Sequence, residues 1–218
     1  MAARDYGEYG GVTRAMELVG ERWAMLIVRD LLVGPRRYGE LAGGLPRIPS
    51  NILAARLKEL QEAGIIRRAP RSRVIVYELT PYGRELEPVV LALGAWGFKA
   101  MGDPREEQVI TPDSMTMDLR SAFRANVAAT LPSTSYGARF GPAELLIRVD
   151  GSSLAVTRGD ATQADGPVDL AFASGPGIHR LISGELAPDR AIATGVVEVL
   201  HGRGDLLDRF ASTFHLAA

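Results

Sequence analysis

The chain has 218 residues, of which 46% are hydrophobic and 23% are charged, and its formal net charge is −1. This composition is typical of soluble globular protein, and the length allows one large domain or two of about a hundred residues. The lack of cysteine excludes disulfides and cysteine-based zinc sites. Because there is no long apolar run and no signal-peptide core, we expect a cytoplasmic protein without a membrane partner.

Charge is distributed unevenly along the chain. Residues 1–104 contain 15 basic and 12 acidic residues, a net charge of +3, whereas residues 105–218 contain 10 and 14, a net charge of −4. An acidic surface repels nucleic acid. We therefore expect any DNA contact to lie in the first half.

The first half predicts helices followed by a β-hairpin. Residues 1–11 predict a loose arm and residues 12–19 a short helix. The apolar stretch that follows predicts a helix ending at Gly34, and residues 38–45 predict another short helix before a turn. Two strand-like runs, IIRRA and RVIVYELT, come later, with residues 70–73 at their tip.

Residues 48–65, IPSNILAARLKELQEAGI, have the pattern of an amphipathic helix between the short helix and the hairpin. Pro49 suits its first turn and Gly64 the position just past its end. The apolar side consists of Leu53, Leu57 and Leu60. The opposite side is small, polar and basic, which fits a DNA major groove, and carries Asn51, Ala54, Ala55, Lys58 and Glu62.

The resulting order of helices and hairpin is that of a winged helix-turn-helix, although another small α/β domain is the alternative. Residues 36–73 carry nine basic and three acidic residues, a net charge of +6, which favours the DNA-binding interpretation.

This half of the chain resembles the HxlR-type regulators, relatives of the MarR winged-helix group. The resemblance covers roughly the first hundred residues and rests on AMELVGERWAMLIVRDLLVGPRRYGELAGGLP, NILAARLKELQEAGII and VYELTPYGREL. It implies a homodimeric DNA-binding transcription regulator, more often a repressor than an activator. Many relatives carry a cysteine near the position of Gly11, and some sense oxidants with it, so this cysteine-free chain excludes thiol sensing. Many also begin the recognition helix with Ser-Pro where this chain has Pro49-Ser50, which leaves its capping residue open.

The DNA-binding hypothesis assigns a role to each exposed position. Asn51 can pair with adenine and the alanine methyls can contact thymine methyls, whereas arginines outside the helix are expected at phosphates or in the minor groove. The predicted set is Arg36, Arg37, Arg47, Ser50, Asn51, Ala54, Ala55, Lys58, Arg71 and Arg73. A solvated surface charge is the alternative for each arginine, and an internal salt bridge is the alternative for Arg56.

Residues 81–101 predict one long helix, with Thr80 as its cap and a kink at Pro88. An apolar stripe along it predicts the homodimer contact, with ordinary core packing as the alternative. The stripe consists of Tyr82, Leu86, Val89, Leu93 and Trp96. The polar segment 103–107 is the expected boundary between a mainly α domain, 1–104, and an α+β domain, 105–218.

The second half predicts short strands separated by turns, and then two helices. The strands are expected at residues 115–119, 144–149, 154–158, 168–173 and 193–200, and the helices at 175–183 and 205–214. Asp150-Gly151 marks a hairpin. Residues 168–214 resemble the C-terminal part of the sterol carrier protein type-2 family, chiefly through the loop GELAP at 184–188 and the final Phe210 and Phe214.

This second resemblance implies an α+β sterol-carrier-like domain with an apolar cavity, and such domains also occur fused behind HxlR-type domains. An apolar small-molecule effector is therefore expected to contact Leu145, Ile147, Val156, Phe172, Ile178, Leu181, Ile182, Val197, Phe210 and Phe214. A close-packed core, a purely structural or dimerising domain and a lipid-type carrier are the alternatives. No catalytic motif, metal site or cofactor is predicted, because the three histidines lack metal-ligand spacing.

Overall fold

The computed structural model describes residues 5–102, 105, 107–159 and 168–216. Its internal contacts divide the chain into two compact units, Met1–Val90 and Leu91–Ala218. The division falls within a helix, whereas the expected boundary at 103–107 includes residues 103, 104 and 106, which lie outside the described residues. Each unit is described by itself below.

The first unit has the predicted order of helices and hairpin. Its elements are α1 (Gly11–Val19), α2 (Ala24–Val33), α3 (Tyr38–Gly44), α4 (Ser50–Glu62), β1 (Ile66–Arg71), β2 (Val74–Leu79) and α5 (Pro81–Arg84). Strands β1 and β2 are antiparallel, and Arg36 adds an isolated bridge to Tyr77 on the outer side of β2. The buried core includes Ile27, Leu31, Leu41, Leu53, Leu57 and Leu60.

Helix α4 has a well-defined end and a weakly capped beginning. Pro49 is its N-cap rather than a residue of its first turn, and no side chain caps the helix there. Gly64 has a φ of +69° and donates to the carbonyl of Gln61, while Ile65 donates to the carbonyl of Leu60. These two bonds form a Schellman motif, as expected for a glycine just past a helix end.

The prediction of one long kinked helix over residues 81–101 was wrong. The chain forms α5, a turn at residues 85 and 86, and α6 (Glu87–Phe98). Pro88 is therefore the second residue of a new helix, where its missing N–H costs no intrahelical hydrogen bond. Thr80 caps α5 as predicted, since its hydroxyl oxygen accepts from the N–H of Gly83 at 3.1 Å.

The second unit is a five-stranded sheet with helices. Its strands are β3 (Thr134–Phe140), β4 (Ala143–Asp150), β5 (Ser153–Arg158), β6 (Leu170–Ser174) and β7 (Val197–Gly202), in the order β5-β4-β3-β6-β7. Only the central pair, β3 with β6, is parallel among the described strands. The remaining helices are α7 (Pro112–Ala122), α8 (Ala125–Ala128), α9 (Ile178–Ile182), α10 (Pro188–Ala193) and α11 (Leu206–Thr213).

Two expectations for this unit need correction. Residues 115–119 are not a strand but the middle of α7, because Thr111 and Ser114 form a reciprocal capping box and Pro112 occupies the first turn. The strand expected at 193–200 begins only at Val197, since α10 extends to Ala193 and residues 194–196 form a turn. Strand β3 was not predicted, although the expected hairpin at Asp150-Gly151 is present between β4 and β5.

The core of the second unit is aromatic and closely packed. Tyr136 and Phe172 each lie edge to face with Phe210, at ring-centroid distances of 5.3 and 5.2 Å, and Phe214 stacks at a tilt on Phe210. All four side chains are fully buried. Such pairs stabilise a core beyond their buried area. Among the described residues, no helix is long and apolar enough to cross a membrane.

Candidate nucleic-acid interface

The outer side of α4 presents the residues predicted to contact bases. Ser50, Asn51, Ala54 and Lys58 are exposed and Ala55 is half-buried, whereas the leucines on the other side are buried. Tyr38 of α3 fixes the beginning of this helix, because its hydroxyl donates to the carbonyl of Ser50 at 2.9 Å. The small, polar side of a rigidly held helix is therefore open to a ligand.

Arg56 lies on the flank of the same helix and forms the internal ion pairs that were the alternative to a phosphate contact. Its guanidinium lies 2.8 Å from Glu21, in the turn before α2, and also pairs with Glu59. Lys58 lies 3.7 Å from Glu62, and both of these side chains are exposed. Lys58 therefore remains accessible, whereas Arg56 belongs to the internal structure of the unit.

Of the predicted arginines before α4, two lie directly before α3 and one lies between α3 and α4. Arg36 is held by its backbone, which exchanges hydrogen bonds of 3.0 and 2.7 Å with Tyr77, and its side chain bonds the carbonyl of Pro35. Arg37 is the exposed N-cap of α3 and Arg47 is exposed between α3 and α4. These three positions surround the short helix α3 and keep basic side chains near it.

The hairpin, or wing, has a two-residue loop, Ser72 and Arg73, with Ser72 at a φ of +54°. Arg73 is exposed and makes no hydrogen bond or ion pair within the described part of the chain. Arg71 was predicted to lie at the tip beside it. It is the last residue of β1, directly before this loop, and its Nη2 donates to Oε2 of Glu78 at 2.9 Å.

Glu78 and Arg67 were not among the residues predicted for the interface. Arg67 faces Glu78 directly across the two strands and donates to Oε1 from Nε at 2.8 Å. Hydrogen bonds from Arg71 and Arg67 hold the pKa of the Glu78 carboxyl below its usual range. The sequence could have indicated this pair, because Arg67 and Glu78 are opposite charges at facing positions of the predicted hairpin. Recognising it requires the strand register.

Most residues predicted for the dimer contact are exposed. Trp96 has 74% of its surface exposed, and Tyr82, Val89 and Leu93 are about half exposed, while Leu86 is half-buried. Leu86 also lines a cavity of about 210 Å³ in the first unit with Ala15, Leu18, Val19, Ile65, Tyr82 and Glu85. Large exposed apolar side chains are typical of a surface that is covered in an assembly.

The residues predicted to line an effector cavity are mostly core. Among the ten, Ile178 and Ile182 border a cavity of about 50 Å³, together with Phe98, Met101, Ile110, Met115, Asp118, Pro176 and His179. A more polar cavity of about 170 Å³ shares Phe98, Met101 and His179 and adds Lys99, Gly102, Ser183 and Glu185. The other eight predicted residues pack in or against the core of the sheet.

Within the described residues, no group of three histidine, aspartate or glutamate side chains could hold a metal ion. The candidate site therefore consists of the open polar side of α4 and the basic wing, and α6 carries exposed apolar side chains.

Comparison with known proteins finds similarity to regulators of transcription. A family model described as HxlR-like helix-turn-helix matches residues 18–104. An uncharacterized HTH-type transcriptional regulator of Mycobacterium tuberculosis is 43% identical over 96 residues, which are 43% of this chain and 60% of that relative. The match thus spans less than two thirds of the relative's length. The HTH-type transcriptional regulator YodB of Bacillus subtilis is 39% identical over 85 residues, 38% of this chain and 76% of YodB.

Solved structures match over a similar share of the chain. The crystal structure of the HTH-type transcriptional regulator ytcD has 33% sequence identity, and the match covers 44% of this chain and 100% of that chain with a TM-score of 0.40.

Proposed function

This chain belongs to the HxlR-like helix-turn-helix family. From that premise we propose that it is a homodimeric DNA-binding transcription regulator, and that it acts as a repressor rather than an activator. Its DNA target would be a roughly palindromic operator, because a symmetric dimer presents two identical helices about 34 Å apart or a multiple of that distance. The second unit would act as the sensor of a small molecule.

The open side of α4 carries this proposal. Asn51 supplies both a donor and an acceptor, the pair that adenine requires, and Ala54 and Ala55 are small enough for a close approach to bases. Arg47 and Lys58 would contact phosphates, as would Arg36 and Arg37, while Arg73 would enter the minor groove. Phosphate contacts would supply affinity, and the base contacts of α4 would supply specificity.

The test begins with a randomised duplex library enriched on the full chain. The enriched duplex and an unrelated duplex are then titrated by fluorescence anisotropy with Asn51→Ala and with the control Gln61→Ala, an exposed side chain at the other end of α4. We expect Asn51→Ala to lose roughly tenfold in affinity on the enriched duplex only, because one bidentate base pair contact is lost. No enrichment, or equal effects of the two substitutions, would refute base recognition by α4.

The proposed homodimer rests on the exposed apolar side chains of α5 and α6. Tyr82, Leu86, Val89, Leu93 and Trp96 would be covered by the second copy. Burying aromatic and aliphatic groups of this size is the usual driving force of association between subunits.

The sensor hypothesis rests on the cavity beside Ile178 and Ile182. Buried apolar side chains line it, and polar groups lie at its edge in the adjoining cavity. Binding sites for drug-sized ligands are usually about 300–1,000 Å³, so these volumes favour a small apolar effector over a lipid chain. The likeness to sterol carriers is supported by the order β6, α9, loop, α10, β7, α11 over the last part of the chain.

Native mass spectrometry of the freshly purified chain, repeated under denaturing conditions, tests the sensor hypothesis. A dimer with extra mass that is lost on denaturation would support a retained effector. A dimer without added mass would contradict retention and favour a structural role for the second unit, while a monomer would contradict the palindromic operator.

A further inference from the structure

One side of the wing carries two arginines and one carboxylate in a fixed arrangement. Arg67 contributes Nε and Nη2, at 2.8 and 2.7 Å from Oε1 of Glu78, and Arg71 contributes Nη2, at 2.9 Å from Oε2. Each carboxylate oxygen therefore has its own guanidinium. The register explains the geometry, because Arg67 faces Glu78, while Arg71 lies on the same side of β1 and its long side chain reaches back along the hairpin.

The three side chains differ sharply in exposure. The side chain of Glu78 is 5% exposed, whereas those of Arg67 and Arg71 are each 63% exposed. A carboxylate removed from water in this way needs paired donors to remain charged. The two arginines, by contrast, keep most of their surface in solvent.

We propose that Glu78 is a positioning residue that holds Arg67 and Arg71 as a pair of phosphate-binding groups on the surface of the wing. The inference rests on the proposed DNA-binding function and adds two residues, Arg67 and Glu78, to its machinery. The ligand is the phosphodiester backbone of duplex DNA, so the contact is independent of base sequence.

The chemistry of guanidinium allows both contacts at once. Each guanidinium has five N–H donors, of which Arg67 uses two nitrogens on Glu78 and Arg71 uses one. The remaining N–H groups are not used on Glu78. Two cations share one anion, so the group retains a positive charge, and a held guanidinium loses less rotamer freedom when it binds phosphate.

Removing the carboxylate of Glu78 should have opposite effects on DNA affinity, depending on whether Glu78 acts only through its charge or by positioning the two arginines. Glu78→Gln makes the wing more positive, and long-range electrostatics would then tighten DNA binding. If Glu78 acts by positioning, the same substitution releases both guanidiniums and weakens binding.

The experiment titrates the full chain against the enriched duplex and an unrelated duplex at several salt concentrations. For Glu78→Gln we expect roughly threefold to tenfold weaker binding on both duplexes and a salt slope smaller by about one to two. The control is Glu85→Gln, which removes the same charge from an exposed position outside the hairpin. This control should bind as well as the unaltered chain or slightly better.

A second variant keeps the proposal testable if Glu78→Gln does not fold. Arg67→Lys with Arg71→Lys preserves every charge but loses the forked guanidinium geometry, and it should also weaken binding to both duplexes. Unchanged or tighter binding by the folded variants would overturn the positioning role. An unaltered chain that binds neither duplex would instead overturn the proposed function itself.

Discussion

Glu21 and Arg56 connect the turn before α2 to helix α4. Oε2 of Glu21 lies 2.8 Å from Nη2 of Arg56, and these side chains are only 18% and 14% exposed. Arg56 also pairs with Glu59 one helical turn further along. The arginine thus belongs to a small, mostly buried charge network that fixes the rotation of α4, which decides which residues face outward.

Arg56→Ala should destabilise the first unit by about 2 kcal/mol, because it removes the guanidinium that lies 2.8 Å from the mostly buried carboxylate of Glu21. Urea denaturation followed by circular dichroism measures this change. The matched control is Lys58→Ala on the same helix, whose pair with Glu62 is long and exposed and should contribute less than about 0.5 kcal/mol. Equal effects of the two substitutions would show that the Glu21 pair has no special role.

Replacing Leu93 and Trp96 with glutamate should convert the proposed dimer to a monomer. Both side chains are exposed on α6, and a charge on each would have to be desolvated in the covered surface. Sedimentation equilibrium measures the shift, with Ile192→Glu as the control because Ile192 is an exposed apolar residue on α10. If the control dissociates equally, or if the double variant stays dimeric, this helix is not the contact.

Arg71→Ala together with Arg73→Ala should weaken DNA binding on all sequences and lower the salt slope by about one per lost phosphate contact. The single variants should differ in stability, because Arg71 compensates the buried carboxylate of Glu78 and Arg73 lies in the hairpin loop. Anisotropy titrations and denaturation curves of both single variants separate the two roles. An unchanged slope in the double variant would remove the wing from the interface.

The sequence predicted the first unit well because its signals are local and redundant. Leu53, Leu57 and Leu60 form a helical stripe, and Gly64 and Thr80 mark boundaries by their own backbone and capping chemistry. The pairing of Arg67 and Arg71 with Glu78 was missed because it depends on strand register, which no single segment specifies.

The second unit was harder to predict because its local sequence patterns are ambiguous. Residues 115–119 alternate like a strand, and only the capping box at Thr111 and Ser114 converts them into a helix. Strand β3 lies at the centre of the sheet, but Gly137 interrupts its apolar pattern. The residues predicted to contact an effector are apolar because most of them form the close-packed core.

Asp169→Asn should destabilise the second unit by about 1 kcal/mol at neutral pH, since the exposed carboxylate accepts hydrogen bonds of 2.7 Å from the backbone N–H and hydroxyl of Ser135. These bonds, the backbone one foremost, lower the pKa of Asp169 from its ordinary 3.8. A lowered pKa means that the stabilisation is fully present above the ordinary value and is lost as the pH falls through the lowered one.

Urea midpoints at about pH 7, 5 and 3 test this prediction. The difference between the unaltered chain and Asp169→Asn should be constant from pH 7 to 5 and should shrink toward pH 3. Glu198→Gln is the control, because Glu198 is exposed on β7 and its side chain makes no hydrogen bond or ion pair within the described ranges. A difference that grows as the pH falls would contradict the role of the ionised carboxylate in joining the beginning of β6 to β3.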